Sequence, residues 1–232
     1  MPKFILKIMS QKGLSLTEQN YIKVIYELSV NNNSNILTSD IANAVNIRSA
    51  SATDMLGKLA DKKLVEYEKY YGVRLTEKGK SAALNIVRKH RLWEVFLTEK
   101  LGFGWDEVHE MAEELEHATS DELSDRLERY LGNPKTDPHG EPIPNKKGEL
   151  EKAKLFLLNT IRTNVEVELK RISDETPSYL QYLQKNNLIP GVNLCIQQYN
   201  DFDDSIDIII NNKHSLHLSK EASSHLWVAK IK

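Results

Sequence analysis

The order of periodic segments in residues 37–79 constrains the fold more than any other feature of this chain. Two short helical patterns, LTSDIANAVNI (37–47) and RSASATDMLGKLADKKLV (48–65), follow each other with room for only a tight turn between them. Two β-prone runs on either side of KYYG then predict a small hairpin within residues 65–79. This order is typical of a winged helix-turn-helix. The competing interpretation is a small helical domain with a surface hairpin.

The remaining sequence predicts a helical middle part and a β-rich C-terminal part. Helical patterns cover residues 17–30, 80–101, 108–119, 120–132, 149–163 and 177–187. β-Prone runs cover residues 165–172, 192–199, 205–211, 214–219 and 226–231, which is enough for a small barrel of SH3-like size. The expected fold class is mainly α with a small β domain at the C-terminal end. Its expected parts are a winged helix-turn-helix DNA-binding domain (1–80), a helical domain (81–150), and a linker helix with an SH3-like domain (151–232).

The charge of the chain is divided unevenly, although the formal net charge is only −2. Residues 1–92 carry 15 Lys/Arg against 8 Asp/Glu, a balance of +7, whereas residues 93–151 carry 6 against 16, a balance of −10. The basic segment contains the predicted helix-turn-helix and predicts contact with a polyanion such as DNA. The acidic segment predicts the binding of cations.

The second helix of the predicted helix-turn-helix would present its N-terminal residues to the major groove of DNA. Small and polar side chains there let the helix approach base edges and form hydrogen bonds to bases or phosphates. Two basic residues flank the tip of the hairpin and are placed to straddle a phosphate. The candidate DNA-binding residues are Arg48, Ser49, Ser51, Asp54 and Lys58 on the helix, with Lys69 and Arg74 on the hairpin. For any one of them the alternative is a solvated surface residue.

Two predicted helices each carry His and Glu side chains spaced three or four residues apart, so each helix presents them on one face. Neighbouring helices that bear such pairs are how helical proteins build metal sites. The alternative is a solvated, Glu-rich helix face. The candidates are Glu113, Glu116 and His117, with His109 one turn earlier and His90 and Glu94 on the preceding helix.

The ligand types limit both the metal and the class of protein. Imidazole and carboxylate groups without a nearby cysteine suit Mn²⁺, Fe²⁺ or Zn²⁺. Glu114 and His117 match the ExxH of di-iron carboxylate bundles, but the sequence has no second copy, and nothing resembles GxSxG or a P-loop. We therefore expect a binding protein and not an enzyme. The rival classes are a metal-independent winged-helix regulator that senses a small molecule, and a metal-buffering or di-iron protein.

Two further features indicate the setting in which the protein acts. Cys195 is the only cysteine, which excludes an intrachain disulfide and favours a reducing, cytoplasmic location. No apolar run approaches the length needed to span a bilayer, so we expect no membrane partner.

Several blocks of this sequence together resemble the diphtheria-toxin-repressor family of metal-dependent transcriptional regulators. The resemblance is closest to its manganese-responsive branch, which has three domains, the middle one serving metal binding and dimerisation. It covers nearly the whole chain and is weakest at the SH3-like end. The blocks are YIKVIYEL, SDIANAVNIRSASATDMLGKLADKKLVEY, GVRLTEKGK, RKHRLWEVFL and VHEMAEELEHATSDELSDRLERYLGNPKTDPHGEPIP.

The resemblance implies a primary, activating metal site on Glu113, Glu116 and His117, completed by a ligand from the first helix. That ligand is usually Asp or Met in the family, and the matching residue here is Asn20. Members that prefer iron carry Cys in place of Glu113, so Glu113 favours manganese. A further carboxylate of some manganese regulators is matched by Lys23, which argues against a two-metal cluster of that sort.

The resemblance also implies an ancillary metal site in one of two forms. The first form uses His90, Glu94 and His109. The second form uses Glu94 with loop and C-terminal ligands, and its loop position is often Cys in the family. The residues that match those ligands are Asp137, His139 and Asp174.

A function follows from this ligand arrangement. A metal bonded both to Asn20 and to ligands on the dimerisation helices would fix their relative orientation, so that the two recognition helices of a homodimer match successive major grooves. The expected cofactor is Mn²⁺, with Fe²⁺ as the alternative and Zn²⁺ able to bind in vitro. The expected partners are a palindromic double-stranded DNA operator and a second copy of the chain, with no small organic substrate. The expected role is repression of genes for metal-ion uptake.

Overall fold

A computed structural model of the chain describes residues 13–31, 35–69, 71–162 and 165–231. The chain forms two compact units. The first unit contains Met1–Trp93, Ala112–Gly132 and Pro144–Leu150, and the second contains Glu94–Met111, Asn133–Ile143 and Glu151–Lys232. Two of the boundaries fall inside helices, and the three-domain division expected from the sequence stays a prediction.

The first unit contains the predicted winged helix-turn-helix. Its elements are α1 (Leu16–Asn31), α2 (Thr38–Ala44), α3 (Ser49–Asp61), β1 (Val65–Glu68) and β2 (Gly72–Leu75). The two strands pair in antiparallel order, and Ile36 forms an additional bridge to Val73. The apolar faces of α1 and α3 enter one core, in which Ile22, Ile25 and Leu56 are fully buried. The winged-helix prediction is confirmed.

The helices of this unit start in different ways. Glu18 Oε2 accepts the N–H of Ser15 at 2.8 Å, and Ser15 Oγ accepts the N–H of Glu18 at 3.3 Å. This reciprocal capping box starts α1 at Leu16. Arg48 is the extended residue before α3 and makes no side-chain cap, and Ser49 is the first helical residue.

Three more helices follow the hairpin, as the sequence predicts: α4 (Glu77–Leu101), α5 (Val108–Ala118) and α6 (Asp121–Tyr130). Ser120 caps α6, because its hydroxyl accepts the N–H of Leu123 at 3.1 Å. Residues 133–155 contain no helix, so residues 149–155 of the predicted linker helix are irregular.

The second unit contains a six-stranded antiparallel sheet with strand order β3-β8-β4-β5-β6-β7. Its elements are β3 (Phe156–Leu157), β4 (Glu166–Ile172), α7 (Pro177–Lys185), β5 (Asn193–Tyr199), β6 (Ile206–Ile210), β7 (His214–Leu218), α8 (Lys220–Ser224) and β8 (Leu226–Lys230). The five predicted strands are all present, which confirms the small β domain. The prediction of a linker helix was wrong, because Phe156 pairs with Val228 in the sheet and Leu158 is buried in the core of the second unit.

None of the helices in the described ranges combines the length and the apolar character that crossing a membrane requires.

Candidate metal centres and DNA-binding surface

Three predicted ligands lie on α5, in the part of that helix that belongs to the first unit. Glu116 is buried, His117 is half-buried, and Glu113 keeps 54% of its side-chain surface exposed. Lys23 of α1 and His90 of α4 contact this group. We call these five residues the primary centre.

His117 is held in the tautomer that suits a metal ligand. Its Nδ1 lies 3.0 Å from Oε1 of Gln19, and an amide oxygen only accepts, so Nδ1 donates and Nε2 carries the lone pair. Burial lowers the pKa of His117 below its ordinary value, which favours the neutral imidazole. Nε2 lies 3.4 Å from Glu116 Oε1, a buried atom without a hydrogen-bond partner in the described part of the chain. Two acceptors that face each other in this way fit a cation.

Lys23 brings an ammonium group from α1 into the primary centre. The side chain is 4% exposed, and Nζ lies 2.9 Å from Glu116 Oε2 and 3.4 Å from Glu113 Oε1. Burial alone lowers the pKa of Lys23, but the charges of Glu116, Glu27 and Glu113 raise it above its ordinary value. The group therefore keeps its charge.

His90 Nδ1 lies between the same two charged groups, 3.1 Å from Lys23 Nζ and 2.7 Å from Glu116 Oε2. Burial on its own raises the pKa of Glu116, but the hydrogen bond to His90 and the charge of Lys23 bring it below its ordinary value. Glu116 is therefore an ionised, buried carboxylate.

Asn20 is placed differently from the other predicted primary ligands. It lies on an exposed part of α1 and lines a cavity of about 630 Å³ together with Glu113 and Lys23. Gln19, one residue earlier, contacts His117 directly and is 2% exposed. Sequence reasoning missed Gln19 as a positioning residue, and the available signal was an amide side chain among the buried positions of an amphipathic helix.

A second group of ligand types lies within the second unit, and we call it the ancillary centre. Ligand atoms of Glu94, Asp137 and His139 lie within 4.8 Å of one another, and all three residues are buried. His109 Nδ1 lies 3.5 Å from Glu94 Oε1 and 3.2 Å from Glu175 Oε2. The side-chain hydrogen bonds of His109, first to Glu175 and then to Glu94, raise its pKa to about 10. The ancillary centre therefore comprises these five residues.

His139 shows the same acceptor arrangement as His117. It is fully buried, its Nε2 lies 2.9 Å from the carbonyl oxygen of Trp105, and its ring stacks on that indole with centroids 5.7 Å apart. A carbonyl only accepts, so Nε2 donates and Nδ1 carries the lone pair. Nδ1 has no hydrogen-bond partner within the described ranges and lies 4.0 Å from Glu94 Oε1 and 3.9 Å from Glu175 Oε1. A histidine oriented by a backbone carbonyl, with its other nitrogen toward carboxylates, is typical of metal ligation.

The loop that carries His139 is fixed by its own backbone. Asp137 Oδ1 accepts the N–H groups of His139 at 2.9 Å and Glu141 at 3.0 Å. The carbonyl of His139 accepts the N–H of Ile172 at 2.9 Å, which joins the loop to β4. Gly140 has φ +87°, and a Cβ there would lie 1.9 Å from a backbone oxygen of β4. Only glycine permits this approach.

Glu175, and not the predicted Asp174, contacts the histidines of the ancillary centre. Asp174 Oδ1 accepts the N–H of Thr176 at 2.9 Å just before α7, whereas Glu175 contacts His109 and His139. Both acidic residues follow the end of β4, where the alternation of inward and outward side chains no longer applies. The sequence pattern therefore could not indicate which of the two contacts the histidines. The other predicted ancillary form, His90 with Glu94 and His109, draws residues from both units and stays a prediction.

The predicted DNA-binding residues form an exposed surface on the winged helix-turn-helix. On α3 the exposed positions Ser51, Asp54 and Lys58 recur at a helical spacing, opposite the buried core positions of the same helix. Arg48 and Ser49 are exposed at the start of α3, and Lys69 and Arg74 are exposed on the hairpin. Their contact with DNA stays a prediction.

Three family models match the chain in succession. The N-terminal DNA binding domain of iron dependent repressors matches residues 13–73, and their metal binding and dimerisation domain matches residues 76–145. The FeoA domain matches residues 156–230.

Individual relatives agree with these matches. An uncharacterized HTH-type transcriptional regulator of Methanocaldococcus jannaschii is 38% identical over 118 residues, which are 51% of this chain and 94% of that protein. The iron-dependent repressor IdeR of Mycobacterium tuberculosis is 33% identical over 128 residues, and the matched part spans about half of each protein (55%). A solved manganese-dependent transcriptional repressor in complex with manganese has a TM-score of 0.85 and 34% identity, covering 92% of this chain and 100% of that one.

Together with the winged helix-turn-helix, these matches define a metal-dependent DNA-binding repressor. The chain belongs to the iron-dependent repressor family, which includes the diphtheria toxin repressor.

Proposed function

We propose that a divalent ion, Mn²⁺ with Fe²⁺ as the alternative, activates this chain as a homodimer to bind a palindromic operator before genes for metal-ion uptake. Its ligands in the primary centre are Glu113, Glu116 and His117, with Asn20 completing the set from α1. The role is regulatory and not catalytic, and it is exercised in the cytoplasm.

The observation that carries this proposal is the face-to-face arrangement of His117 Nε2 and Glu116 Oε1. Gln19 fixes the histidine tautomer, so the two acceptors, 3.4 Å apart, have no proton to share. A divalent cation between them would satisfy both atoms. Carboxylate, amide and imidazole ligands suit Mn²⁺ and Fe²⁺, although Zn²⁺ is expected to bind such a set at least as tightly as Mn²⁺ in a simple contest.

The position of α1 explains how an ion at this site would affect DNA binding. Ile22 and Ile25 of α1 share one core with Leu56 and Leu59 of the recognition helix α3. Asn20 and Gln19 project from the same helix, and His117 belongs to α5. An ion bonded to both helices would couple the orientation of the helix-turn-helix to α5, and this coupling is equal in both directions.

We propose that the ancillary centre binds a second ion through Glu94, Asp137 and His139, with His109 and Glu175 completing the ligand set. Three buried ligand residues and the oriented His139 support this assignment. Its ligands are held by a fixed loop and a sheet, so we assign it a stabilising role and leave activation to the primary centre.

The test is the affinity for DNA from upstream of the protein's own gene, measured by fluorescence anisotropy in Mn²⁺, anaerobic Fe²⁺, Zn²⁺, Mg²⁺ and chelator, with a scrambled duplex as control. We expect Mn²⁺ or Fe²⁺ to raise the affinity about tenfold or more, which is about 1.4 kcal/mol of coupling. Specific binding that ignores the chelator would indicate a metal-independent regulator of the small-molecule type. Metal binding without affinity for DNA would indicate a metal-buffering protein.

A further inference from the structure

The Glu116 carboxylate divides the primary centre into two halves. Its Oε1 faces Nε2 of His117 at 3.4 Å, and this half brings two acceptors face to face. Its Oε2 lies 2.7 Å from His90 Nδ1 and 2.9 Å from Lys23 Nζ. The second half therefore already places a cation among its acceptors.

The ammonium of Lys23 has the surroundings that a bound metal ion would have. It carries three N–H donors, and two carboxylate oxygens lie within 3.4 Å of Nζ, Glu116 Oε2 and Glu113 Oε1, while His90 Nδ1 lies 3.1 Å away and donates to Glu116 Oε2. These neighbours belong to α4 and α5, whereas Lys23 belongs to α1. One imidazole and two carboxylates are also ligand types that manganese and iron accept.

Burial strengthens the electrostatic effect of the Lys23 ammonium on the neighbouring carboxylates. The side chains of Lys23 and Glu116 are 4% and 1% exposed, so their charges are weakly screened by water. A second divalent ion in this half would have to displace the ammonium and leave it buried without its partner, which is strongly unfavourable. An ion in the half at His117 shares Glu113 and Glu116 with the ammonium, which has already neutralised part of their charge.

We propose that Lys23 is a fixed internal cation of the primary centre, which limits the centre to one divalent ion and raises the concentration of that ion needed to fill it. This inference rests on the proposed metal-binding function of the centre. Lys23 is a specificity-determining residue and not a ligand, because it acts through the charge that it places beside Glu113 and Glu116. It also joins α1 to α4 and α5 in the metal-free chain.

The first experiment compares Mn²⁺ binding by calorimetry in the full-length wild type, Lys23→Met and Lys89→Met. Lys89 is the matched control, because it is another buried lysine of the first unit, its Nζ lies 2.9 Å from Asp121 Oδ1, and it does not belong to the primary centre. We expect Lys23→Met to lower the Mn²⁺ midpoint about tenfold, because a weakly screened positive charge beside the ligands is removed. Lys89→Met should keep the wild-type midpoint.

The same three proteins give a readout that is independent of DNA binding. In chelator, Lys23→Met should have a lower Tm than the wild type, because Glu116 loses its counter-charge. Added Mn²⁺ should raise the Tm of Lys23→Met by more than it raises that of the wild type or Lys89→Met. If Lys23→Met does not fold, Lys23→Gln replaces it with the same expectations.

A carboxylate in place of the ammonium should convert the second half into an ion site. We expect Lys23→Glu to bind one more Mn²⁺ per chain than the wild type, with an exchange-coupled signal in electron paramagnetic resonance. The proposal would be overturned if Lys23→Glu and the wild type bound the same number of Mn²⁺ ions per chain. It would also be overturned if Lys23→Met and Lys89→Met had the same Mn²⁺ binding midpoint. If His117→Ala leaves every Mn²⁺ binding step unchanged, the proposed function of the centre itself fails, whatever the Lys23 variants show.

Discussion

The primary centre contains a buried lysine among its acceptors, whereas in the ancillary centre Nδ1 of a buried histidine faces carboxylates directly. Glu113 of the primary centre is 54% exposed on a helix, while His139 of the ancillary centre is fully buried and fixed by Trp105, a turn and β4. This difference supports the two roles proposed for the centres. A partly exposed site that shares its carboxylates with a lysine suits reversible switching, and a preorganised site suits tight, constant binding.

The largest effect should come from His117→Ala. This change removes the imidazole that faces Glu116, so we expect Mn²⁺ to lose its effect on operator affinity, a loss of about 100-fold or more in the Mn²⁺ needed for half-maximal binding. DNA-binding titrations against Mn²⁺ measure it. The control is His217→Ala, which removes an exposed histidine paired with Asp207. A variant that still responds to Mn²⁺ at the wild-type midpoint would remove His117 from the activating site.

Gly140→Ala tests whether the loop backbone organises the ancillary centre. The new Cβ would overlap the Lys170 carbonyl oxygen at φ +87°, so we expect the free energy of unfolding to fall by about 2 kcal/mol or more. Denaturant titration of the metal-free protein measures the change. Gly191→Ala is the matched control, because φ is +98° there but nothing lies within 4 Å of the new atom. Equal losses in the two variants would mean that the contact with β4 contributes nothing beyond the backbone angle.

His139→Ala should have a smaller effect on regulation than His117→Ala. It removes a proposed ligand of the ancillary centre, so we expect about a tenfold rise in the Mn²⁺ midpoint for operator binding, with the maximal affinity retained. The two variants are compared in the same titration. If His139→Ala proves the more damaging, the roles assigned to the two centres are reversed.

The smallest effect should come from Asn20→Asp. The carboxylate adds one negative charge to the cavity that Asn20 shares with Glu113, so we expect Mn²⁺ to bind about threefold more tightly. Calorimetric titration of both proteins at one pH measures the change. An unchanged midpoint would show that α1 is coupled to the ion by packing and Gln19, and that Asn20 is not a ligand.

The sequence predicted the elements that periodicity controls. The helix-turn-helix, the hairpin and the later strands have clear helical or alternating patterns, and their arrangement follows from them. Glu116 and His117 could be grouped because they occupy one helix face, whereas Asn20 as their first-helix partner comes only from the resemblance to a family and stays a prediction.

The sequence could not predict contacts that depend on distant parts of the chain. Lys23 lies 90 residues or more from the glutamates that bury it, and a lysine on a helix is usually a solvated residue. The choice between Asp174 and Glu175 depends on the turn after β4. Phe156 has a helical spacing in its segment, yet pairing with β8 overrides that local preference.

The anomalous scattering of manganese, in crystals of the wild-type protein grown with Mn²⁺, locates the ion directly. We expect one peak in the primary centre, on the side of Glu116 that faces His117 Nε2, with Lys23 Nζ still beside Glu116 Oε2. A peak on the side of His90 with Lys23 displaced, or no peak within bonding distance of His117 and Glu116, would contradict it.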